Sequence, residues 1–515
     1  MKLQLCLLVC FVVVFEKNEC AKILGMFPFP GRSHYIMFRS LLKGLAQKGH
    51  DVDVVSHFPL KENITGYNDI SIRGSAPIFT NNFTLDLIQD LSYNEILDII
   101  FRMSGTDICK LNFATKELQE LKKSKKKYDV VLTEHFSTDC MLGWAWHFGA
   151  PSIVMTSSEN FPWASERFAL PDNPSYIPTY FVEYGSKMNL YQRIVNAWTL
   201  LKGKLYFYLY SSIPSTNIAR EFFGDELPDL NLLAYNTSLH LVNTHFSISN
   251  SRPLVPNVVE VAGLHIEDVK PLDEHFSKIL ETDTKGVIYF SMGSLVLTET
   301  YPPHILQAIF DALAEVPYKV LWKGTREKFP KGLTFPSNIH FEPWIPQLDI
   351  LCDPRVKLFV SHGGMMGTQE GVYCGVPILG IPLFADQSLN IKRAETAGYG
   401  IRIDLKDISK KTFSAALRKI LFNPRYTEIA KETSELFKDR IASPLDMSIY
   451  WVEYVIRHKG AVKLQSAAKD LHWYQYYFLD VIAIILATTY ALFYLVSVLS
   501  KLTLRKPSKI KIKSS

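Results

Sequence analysis

Residues suited to group-transfer chemistry are concentrated between positions 344 and 387. This stretch contains an aromatic residue, a glycine turn with a histidine, and amides and carboxylates at fixed spacings: Trp344, Gln347, His362, Gly363, Gly364, Glu370, Asp386 and Gln387. Phe359 and Val360 end an apolar run, and a helical pattern starts at Met365. A glycine turn between a strand and a helix N-terminus presents free N–H groups and a positive dipole end, which suit a diphosphate.

The side chains around this turn could bind the rest of a nucleotide sugar. We expect His362 to add a charge-assisted hydrogen bond to the diphosphate. Trp344 offers a flat face to a base, and Glu370 could accept hydrogen bonds from ribose hydroxyls. Asp386 and Gln387 suit sugar hydroxyls.

A second candidate site lies in the first loop, where His34 follows Gly31 and Ser33. A hydroxyl acceptor becomes a good nucleophile when its proton is withdrawn, and histidine suits that task near neutral pH. Such a base needs a carboxylate to orient it. Glu134 and Asp139 both follow a predicted strand at 128–133 and are the two candidates.

Strands and helices alternate around both sites, which predicts an α/β fold with parallel, doubly wound sheets. Predicted strands at 22–27, 52–56, 128–133 and 151–155 form one half, and an alternation beginning at Gly286 forms the other. Two Rossmann-like domains facing a cleft are therefore expected. The first strand–loop lacks the Gly-x-Gly-x-x-Gly pattern, which argues against a dehydrogenase. Asp51 and Asp53 open a buried strand, so we expect no metal site there.

The two ends of the chain predict targeting and a membrane anchor. An apolar run after Lys2 indicates a signal peptide over residues 1–21. Residues 481–500 are long and apolar enough to span a bilayer, and aromatic residues precede them in a juxtamembrane segment at 461–480. The basic tail at 501–515 should stay cytosolic, which leaves the body lumenal. Lys511 and Lys513 resemble a dilysine retrieval signal of the endoplasmic reticulum.

Composition limits the remaining possibilities. The chain has 515 residues, 47% hydrophobic content and a net charge of +5, which suits a folded two-domain protein and makes nucleic acid a poor partner. Four body cysteines are too few for a disulfide framework, so we expect packed cores to provide stability. Sequons at Asn63, Asn82 and Asn236 agree with a lumenal body. The aromatic residues between Tyr176 and Tyr210 could form an acceptor pocket, a membrane-facing helix or core, and core is favoured.

The whole array from Trp344 to Gln387 closely resembles the signature of the UDP-glycosyltransferases, the animal UDP-glucuronosyl and UDP-glucosyl transferases, especially the insect-type members. The resemblance covers essentially the whole chain. It implies the GT-B fold, with an acceptor-binding domain at 22–252, a linker region at 253–285, a UDP-sugar-binding domain at 286–460 and a C-terminal transmembrane helix.

Residue roles follow from the same resemblance. It implies that Trp344 stacks on uracil, Gln347 contacts uridine, His362 and Gly364 bind diphosphate, Glu370 binds ribose, and Asp386 and Gln387 bind the sugar. Ser291, Gly293 and Ser294 match a phosphate-proximal loop. Met365 and Met366 replace the family's usual Asn or Ser after the glycines, which leaves backbone at Gly367 and the hydroxyl of Thr368. His34 matches the catalytic histidine, and insect-type members favour Asp139 over Glu134 as its partner.

The implied function is inverting transfer of a hexose from UDP-glucose or UDP-glucuronate to a small lipophilic acceptor such as a phenol, a steroid or a plant compound. Glucose is favoured, and no cofactor or metal is expected. The implied location is the endoplasmic reticulum membrane, as a single-pass type I protein that is open to forming a homo-oligomer. The alternative is a catalytically impaired lumenal protein of the same fold that binds a UDP-sugar or a small molecule.

Overall fold

The protein was analysed as a computed structural model that describes residues 20–79, 84–87, 91–281, 284–294 and 296–504. The chain through Gln465 forms one compact unit, and the chain from Ser466 forms a second. Most of the predicted signal peptide, the sequon at Asn82 and the tail from Arg505 onward lie outside the described residues.

Two separate sheets form the framework of the first unit. The seven strands of the first sheet are β1 (Lys22–Phe27), β2 (Asp51–Ser56), β3 (Tyr67–Ser71), β4 (Val130–Glu134), β5 (Ser152–Thr156), β6 (Leu239–Val242) and β7 (Val258–Glu260). The six strands of the second sheet are β8 (Val287–Ser291), β9 (Lys319–Lys323), β10 (Ile339–Glu342), β11 (Val356–Ser361), β12 (Ile378–Gly380) and β13 (Gly400–Arg402).

Helices connect these strands. Those of the first half of the chain are α1 (Arg32–Gln47), α2 (Tyr93–Asp98), α3 (Asp107–Phe113), α4 (Lys116–Lys123), α5 (Gly143–Phe148), α6 (Leu190–Phe207), α7 (Ile213–Phe223), α8 (Leu230–Tyr235) and α9 (Phe246–Ser249). Those that follow are α10 (Glu274–Leu280), α11 (Pro303–Ala314), α12 (Gln347–Leu351), α13 (Met365–Tyr373), α14 (Gln387–Ala397), α15 (Lys410–Leu421), α16 (Pro424–Lys438), α17 (Pro444–Arg457), α18 (Trp473–Tyr476) and α19 (Leu479–Thr503).

Both sheets are entirely parallel and doubly wound, as expected. The strand order is β3-β2-β1-β4-β5-β6-β7 in the first sheet and β10-β9-β8-β11-β12-β13 in the second. In each sheet the order reverses between two central strands, β1 and β4 or β8 and β11. Ligands bind outside the carboxyl ends of strands at such a reversal, so the loops after these four strands are the places to look for a site.

The strands are apolar on both faces because helices cover both sides of each sheet. Along β1, Ile23 packs into the core on one face and Leu24 into the core on the other. Helix α1 turns Met37, Leu41, Leu42 and Leu45 toward the first of these cores, as their helical spacing predicts. The helix stops before Gly49, which has a φ of +96°.

Two predicted segment boundaries differ from the structure. The linker region expected at 253–285 contains β7, which pairs in parallel with β6 and extends the first sheet. Three residues are too few to show a strand period, which is why the sequence did not reveal β7. Near the end of the segment expected at 286–460, α17 packs Ile449, Val452 and Val455 into the core of the first sheet.

The four body cysteines pair, contrary to the expectation of no disulfide framework. Cys109 bonds to Cys140 within the first half, and Cys352 bonds to Cys374 within the second. The first bridge joins α3 to the turn after β4, and the second joins the C-terminal ends of α12 and α13. The spacing of the cysteines in sequence does not reveal these pairings.

The second unit consists mainly of α19, whose 25 residues include the segment predicted at 481–500. Its mean hydropathy reaches 2.3, and it is the one helix among the described residues that is long and apolar enough to cross a membrane.

Candidate active site

His34 lies at the start of α1, directly after β1, and contacts a carboxylate from the neighbouring central strand. Its Nδ1 is 2.5 Å from Oε1 of Glu134, the last residue of β4. The Ser157 hydroxyl donates to the same oxygen at 3.4 Å. Since adjacent parallel strands end at the same edge of a sheet, β1 and β4 bring these two side chains together. The His34 side chain is about one quarter exposed.

Asp139, the expected partner of His34, is bound elsewhere. Its two carboxylate oxygens accept hydrogen bonds from Arg167 at 2.8 and 2.7 Å, and His135 lies 3.7 Å away. Burial would raise the pKa of Asp139, but Arg167 and His135 outweigh it and bring that pKa down to about 2. The preference for Asp139 over Glu134 is therefore wrong, because a fully buried arginine uses both oxygens of Asp139.

A small pocket of about 30 Å³ opens beside the Glu134 carboxylate that holds His34. Three of its lining residues contact the histidine: Glu134 by the hydrogen bond, and Phe29 and Phe136 by rings centred 4.8 and 4.9 Å from the imidazole. The cavity also borders Ile108 and Met141, so its wall is largely apolar.

The glycine turn of the second sheet lies at the point where that sheet reverses. His362 follows β11, Gly363 has a φ of +84°, and Gly364 caps the N-terminus of α13. The imidazole fits between two glycines, because a Cβ at Gly293 would lie 2.6 Å from the ring and one at Gly364 would lie 2.5 Å from it. The turn needs glycine to hold the ring in this place.

His362 is buried beside the second glycine turn, in an environment that favours the neutral imidazole. Burial, together with the smaller effect of the nearby Lys323 ammonium, lowers the pKa of His362 to about 4. Its Nδ1 and the hydroxyl of Thr368 are both buried and have no hydrogen-bond partner among the described residues. Unpaired polar atoms at one helix N-terminus are the kind of groups that a polar ligand satisfies.

Gln347 and Glu370 form a connected pair on facing helices. The Gln347 amide donates to Oε2 of Glu370 at 2.5 Å, while Tyr289 donates to the Gln347 carbonyl at 3.0 Å. Burial raises the pKa of Glu370 to about 7, although the Gln347 hydrogen bond and Lys323 act in the opposite direction. Glu370 is therefore partly protonated at neutral pH.

Trp344 is exposed and has two cations beside its ring. The Arg32 guanidinium is 5.3 Å and the Lys323 ammonium is 5.5 Å from the ring centroid. Lys323, at the end of β9, also donates to the carbonyl of Gly293 at 2.8 Å. Sequence analysis missed both cations. The position of Lys323 at the carboxyl end of β9, the strand beside β8, was the available signal.

Asp386 and Gln387 lie at the start of α14. Asp386 accepts a hydrogen bond from Asn390 at 2.8 Å, and burial raises its pKa to about 6. The residues around His34 approach the second sheet directly, because the Arg32 guanidinium, two positions before His34, lies 5.3 Å from the centroid of the Trp344 ring. The Gln387 carbonyl accepts from the backbone N–H groups of Leu383 and Phe384, which leaves its amide group as the donor.

The remaining predicted residues line the same turns. The hydroxyl of Ser291 accepts from the N–H of Gly293 at 3.4 Å, and Ser294 is half-buried in the same turn. A Cβ on Gly367 would lie 3.3 Å from the Gln347 amide. Met366 packs against the core of the first sheet, so the methionine that departs from the expected pattern contributes to contact between the two halves.

Two of the three sequons can be described: Asn63 and Asn236 are both exposed. Within the described ranges, no group of three or more histidine, cysteine or acidic side chains is arranged to hold a metal ion. Asp53, from the rejected metal motif, accepts hydrogen bonds from Lys126 and Tyr128.

Two doubly wound sheets, with a histidine–carboxylate pair at one and a glycine turn at the other, define a glycosyltransferase of the GT-B class. Solved structures agree on the fold. A kitacinnamycin glycotransferase matches 84% of this chain and 98% of its own, with a TM-score of 0.57 at 17% identity. The structure of a UDP-glucose:anthocyanidin 3-O-glucosyltransferase in complex with UDP covers 85% of this chain and 99% of its own chain, with a TM-score of 0.57 at 16% identity.

Sequence comparison shows the family. Residues 22–514 match the family described as "UDP-glucoronosyl and UDP-glucosyl transferase", and the chain belongs to that family. It is 39% identical to UDP-glucosyltransferase 2 of Dactylopius coccus, over 97% of this chain and 96% of that protein. It is 31% identical to human UDP-glucuronosyltransferase 1A9, over 94% of this chain and 92% of that protein. The protein is a UDP-glycosyltransferase.

Proposed function

We propose that the protein transfers a hexose, glucose in the first instance, from a UDP-sugar to a hydroxyl of a small lipophilic acceptor with inversion of configuration. The observation that carries this proposal is the contact of 2.5 Å between His34 and Glu134 at the rim of an apolar cavity. A histidine whose Nδ1 is held by a carboxylate can act through its other nitrogen as a general base.

In this mechanism Nε2 of His34 takes the proton of the acceptor hydroxyl as the oxygen attacks the anomeric carbon. The bond from that carbon to the UDP oxygen breaks on the opposite face, and UDP leaves as an anion. Glu134 holds the proton on Nδ1 and stabilises the imidazolium that forms. A single displacement of this kind inverts the anomeric configuration.

The second sheet would hold the donor. Trp344 would stack on uracil, Gln347 would contact uridine and Glu370 would accept from the ribose hydroxyls. The diphosphate would lie at the N-terminus of α13, against the residues of the two glycine turns: Ser291, Gly293, Ser294, His362, Gly363, Gly364, Gly367 and Thr368. Asp386 and Gln387 would bind hydroxyls of the sugar.

Lys323 supplies a cation at the same place, since its ammonium binds the Gly293 carbonyl and lies near His362. Helix N–H groups and a lysine can stabilise a departing diphosphate. We therefore propose transfer without a resident metal, and undiminished turnover in excess chelator is the test.

Glucose is favoured because the relative of 39% identity is named a UDP-glucosyltransferase. The aromatic wall of the cavity favours a phenol, a steroid or a plant compound of similar polarity as the acceptor. We also propose an endoplasmic reticulum location with a lumenal body anchored by α19. The two disulfides and the exposed Asn63 and Asn236 suit an oxidising, glycosylating compartment.

Replacing His34 by alanine tests the proposed base. Release of UDP from UDP-glucose in the presence of a phenol panel should fall by about 10²–10⁴-fold, the usual contribution of general-base catalysis. Binding of UDP-glucose should be retained, because the donor contacts lie on the second sheet. Turnover at the original rate would refute the proposed base. Donor binding by the unaltered protein without any turnover would favour a non-catalytic binding protein.

A further inference from the structure

A chain of buried hydrogen bonds connects the histidine–carboxylate pair of the first sheet to the helix that begins at the second glycine turn. Its first link is Ser157, which follows β5 and donates its hydroxyl to Oε1 of Glu134 at 3.4 Å. The backbone carbonyl of Ser157 accepts from the side-chain amide of Asn243 at 2.7 Å. Asn243 follows β6, the strand beside β5, and its backbone N–H donates to the carbonyl of Thr156 at 3.2 Å. These two bonds attach Asn243 to the loop that approaches Glu134.

The other side of Asn243 contacts α13. The Gln369 amide donates to the side-chain oxygen of Asn243 at 3.0 Å and to its backbone carbonyl at 3.2 Å. The sulfur of Met366, one turn earlier on the same helix, lies 3.6 Å from Nδ2 of Asn243. The Gln369 carbonyl accepts in turn from the N–H of Gly263, which follows β7, at 2.9 Å. These contacts hold α13 against the segments that follow β6 and β7.

The members of this chain are buried. Asn243 and Gln369 are fully enclosed, and Ser157 is 6% exposed. Hydrogen bonds are directional, and a buried polar group that loses its partner is costly, so a satisfied buried chain stabilises one arrangement of its neighbours. Apolar packing is non-directional and would allow the two halves to slide. The chain therefore fixes the register between the first sheet and α13.

Both ends of the chain reach groups that the proposed reaction uses. On α13 the contacts lie between Gly364 at the N-terminus of the helix and Glu370, the residue after Gln369. On the first sheet they end at Glu134, which contacts His34. Direct displacement needs the acceptor oxygen about 3–3.5 Å from the anomeric carbon, and a misplacement of about 1 Å can cost about 100-fold in rate. Since the two halves bind different substrates, the contact between the halves sets this separation.

We propose that Asn243 is a positioning residue for the transfer step, because it keeps Ser157, Glu134 and His34 in register with α13. The inference rests on the proposed function, in which His34 is the base and α13 binds the donor. Asn243 touches neither substrate in this role, since its side chain is fully enclosed. Its removal should therefore slow transfer and leave donor binding intact.

Asn243→Leu tests the proposal, and Asn196→Leu is the matched control. Asn196 on α6 is also a fully buried asparagine, whose side chain accepts from the N–H of Thr179 and donates to the carbonyls of Pro174 and Ile177. All of these contacts lie within the first half of the chain. The control therefore loses at least as many buried hydrogen bonds and leaves the contact between the halves unchanged.

Calorimetric titration of the full chain with UDP-glucose counts the folded donor sites and gives the Kd. At saturating UDP-glucose and phenol, kcat per donor site should be lower in Asn243→Leu than in Asn196→Leu by about tenfold or more, with the Kd unchanged. Equal kcat per site in the two variants would overturn the proposal. A lower donor affinity in Asn243→Leu without a lower kcat would also overturn it, because Asn243 would then serve the donor site alone.

A double-mutant cycle with Ser157→Ala tests whether the effect passes through Ser157. Ser157→Ala removes the hydroxyl bond to Glu134 and should itself lower kcat several-fold. Combined with Asn243→Leu it should lower kcat by less than the product of the two separate effects, whereas its effect should multiply with that of Asn196→Leu. Multiplication in both combinations would overturn the proposal. Should Asn243→Leu fold poorly, Asn243→Asp takes its place, since it keeps the oxygen that Gln369 binds and sets an oxygen against the Ser157 carbonyl.

His34→Ala separates a failure of this inference from a failure of the proposed function. Loss of transfer in His34→Ala together with full kcat in Asn243→Leu would retain the base and overturn only the positioning role. Undiminished transfer in His34→Ala would refute the proposed base, and with it the positioning of that base by Asn243.

Discussion

Two acidic side chains near the carboxyl end of β4 have opposite environments. Glu134 accepts from His34 and Ser157 at the edge of a cavity, whereas Asp139 is enclosed with Arg167. Asp139 is thus held by Arg167 and lies beside His135, whereas Glu134 is the carboxylate that contacts His34. Catalysis and stability should therefore depend on different acids, although these acids are five residues apart in sequence.

Replacing each acid by its amide separates the two roles. Glu134→Gln should lower kcat by about 10²–10⁴-fold, because the imidazolium loses its counter-charge, and should leave thermal unfolding nearly unchanged. Asp139→Asn should cost about 3–5 kcal/mol of stability, because Arg167 is left buried without a carboxylate. Steady-state kinetics and thermal unfolding of both variants distinguish these outcomes. A fall in kcat for Asp139→Asn at unchanged stability would contradict the assignment.

Glu370 makes donor binding depend on pH. Its pKa in the folded protein is about 7, above its ordinary value of 4.5, so ionisation of the buried carboxyl costs stability as the pH rises through this range. Ribose hydroxyls favour the ionised form, so binding should release a proton. The dissociation constant of UDP-glucose should fall as the pH rises through 7, by at most about tenfold per pH unit below the pKa.

Calorimetric titration across this range measures the effect on donor binding. UDP-glucose is the suitable ligand because its diphosphate is esterified at both ends. Glu370→Gln should remove most of the dependence, and Asp386, with a pKa of about 6, should account for a remainder at lower pH. An unchanged dependence in Glu370→Gln would contradict the assignment of the proton to Glu370.

At the scale of the elements, two glycine turns determine where the donor site can form. The turns follow β8 and β11, which are neighbours in the sheet, and they enclose the His362 ring between Gly293 and Gly364. The two turns depend on each other, because the missing side chain of Gly293 after β8 leaves the space that the His362 ring after β11 occupies. The helix α13 then begins at this point, with its N–H groups directed at the same space.

Gly293→Ala tests this packing, with Gly332→Ala as the control. Both glycines have positive φ, +80° and +89°, so alanine costs about 1–2 kcal/mol of backbone strain at either position. A Cβ at Gly332 meets nothing within 4 Å, while one at Gly293 lies 2.6 Å from the His362 ring. UDP-glucose affinity should fall about tenfold or more, equivalent to 1.4 kcal/mol, only in Gly293→Ala. Equal calorimetric affinities of the two variants would contradict this account.

At the scale of the molecule, buried polar contacts join the halves that carry the two sites. Glu159, after β5, forms an ion pair of 2.8 Å with Arg393 on α14. Gln369 on α13 accepts from the N–H of Gly263 at 2.9 Å and donates to Asn243. Both contacts link the first half of the chain to helices of the second sheet, close to Asp386 and the glycine turn.

Arg393→Met should destabilise the protein by about 3–5 kcal/mol, because the carboxylate of Glu159 is left buried without its partner. Adding Glu159→Gln should restore much of the loss, since the unpaired charge is then removed. Lys278→Met, which breaks the exposed pair with Glu274, is the control and should show no measurable change. Thermal unfolding measures the stability of each variant. A loss of stability in Arg393→Met no larger than that in Lys278→Met would show that the buried ion pair does not stabilise the protein.

The sequence by itself determined the features that depend on local pattern. The apolar strands that precede His34 and His362, the glycines at the turns and the helical spacing of α1 all follow from short-range backbone and packing preferences. The doubly wound fold and the family could therefore be predicted from the sequence. The length and hydropathy of α19 were equally local properties.

Tertiary structure decided what depends on strand order and on contacts between distant segments. It selected Glu134 over Asp139, because β4 lies beside β1 and Arg167 reaches Asp139 from a distant loop. It also determined the pairing of the four body cysteines and the packing of α17 against the core of the first sheet. One apolar face of α6 remains exposed. Periodicity shows that a helix has an apolar face, but only the packing of the chain shows which face is covered.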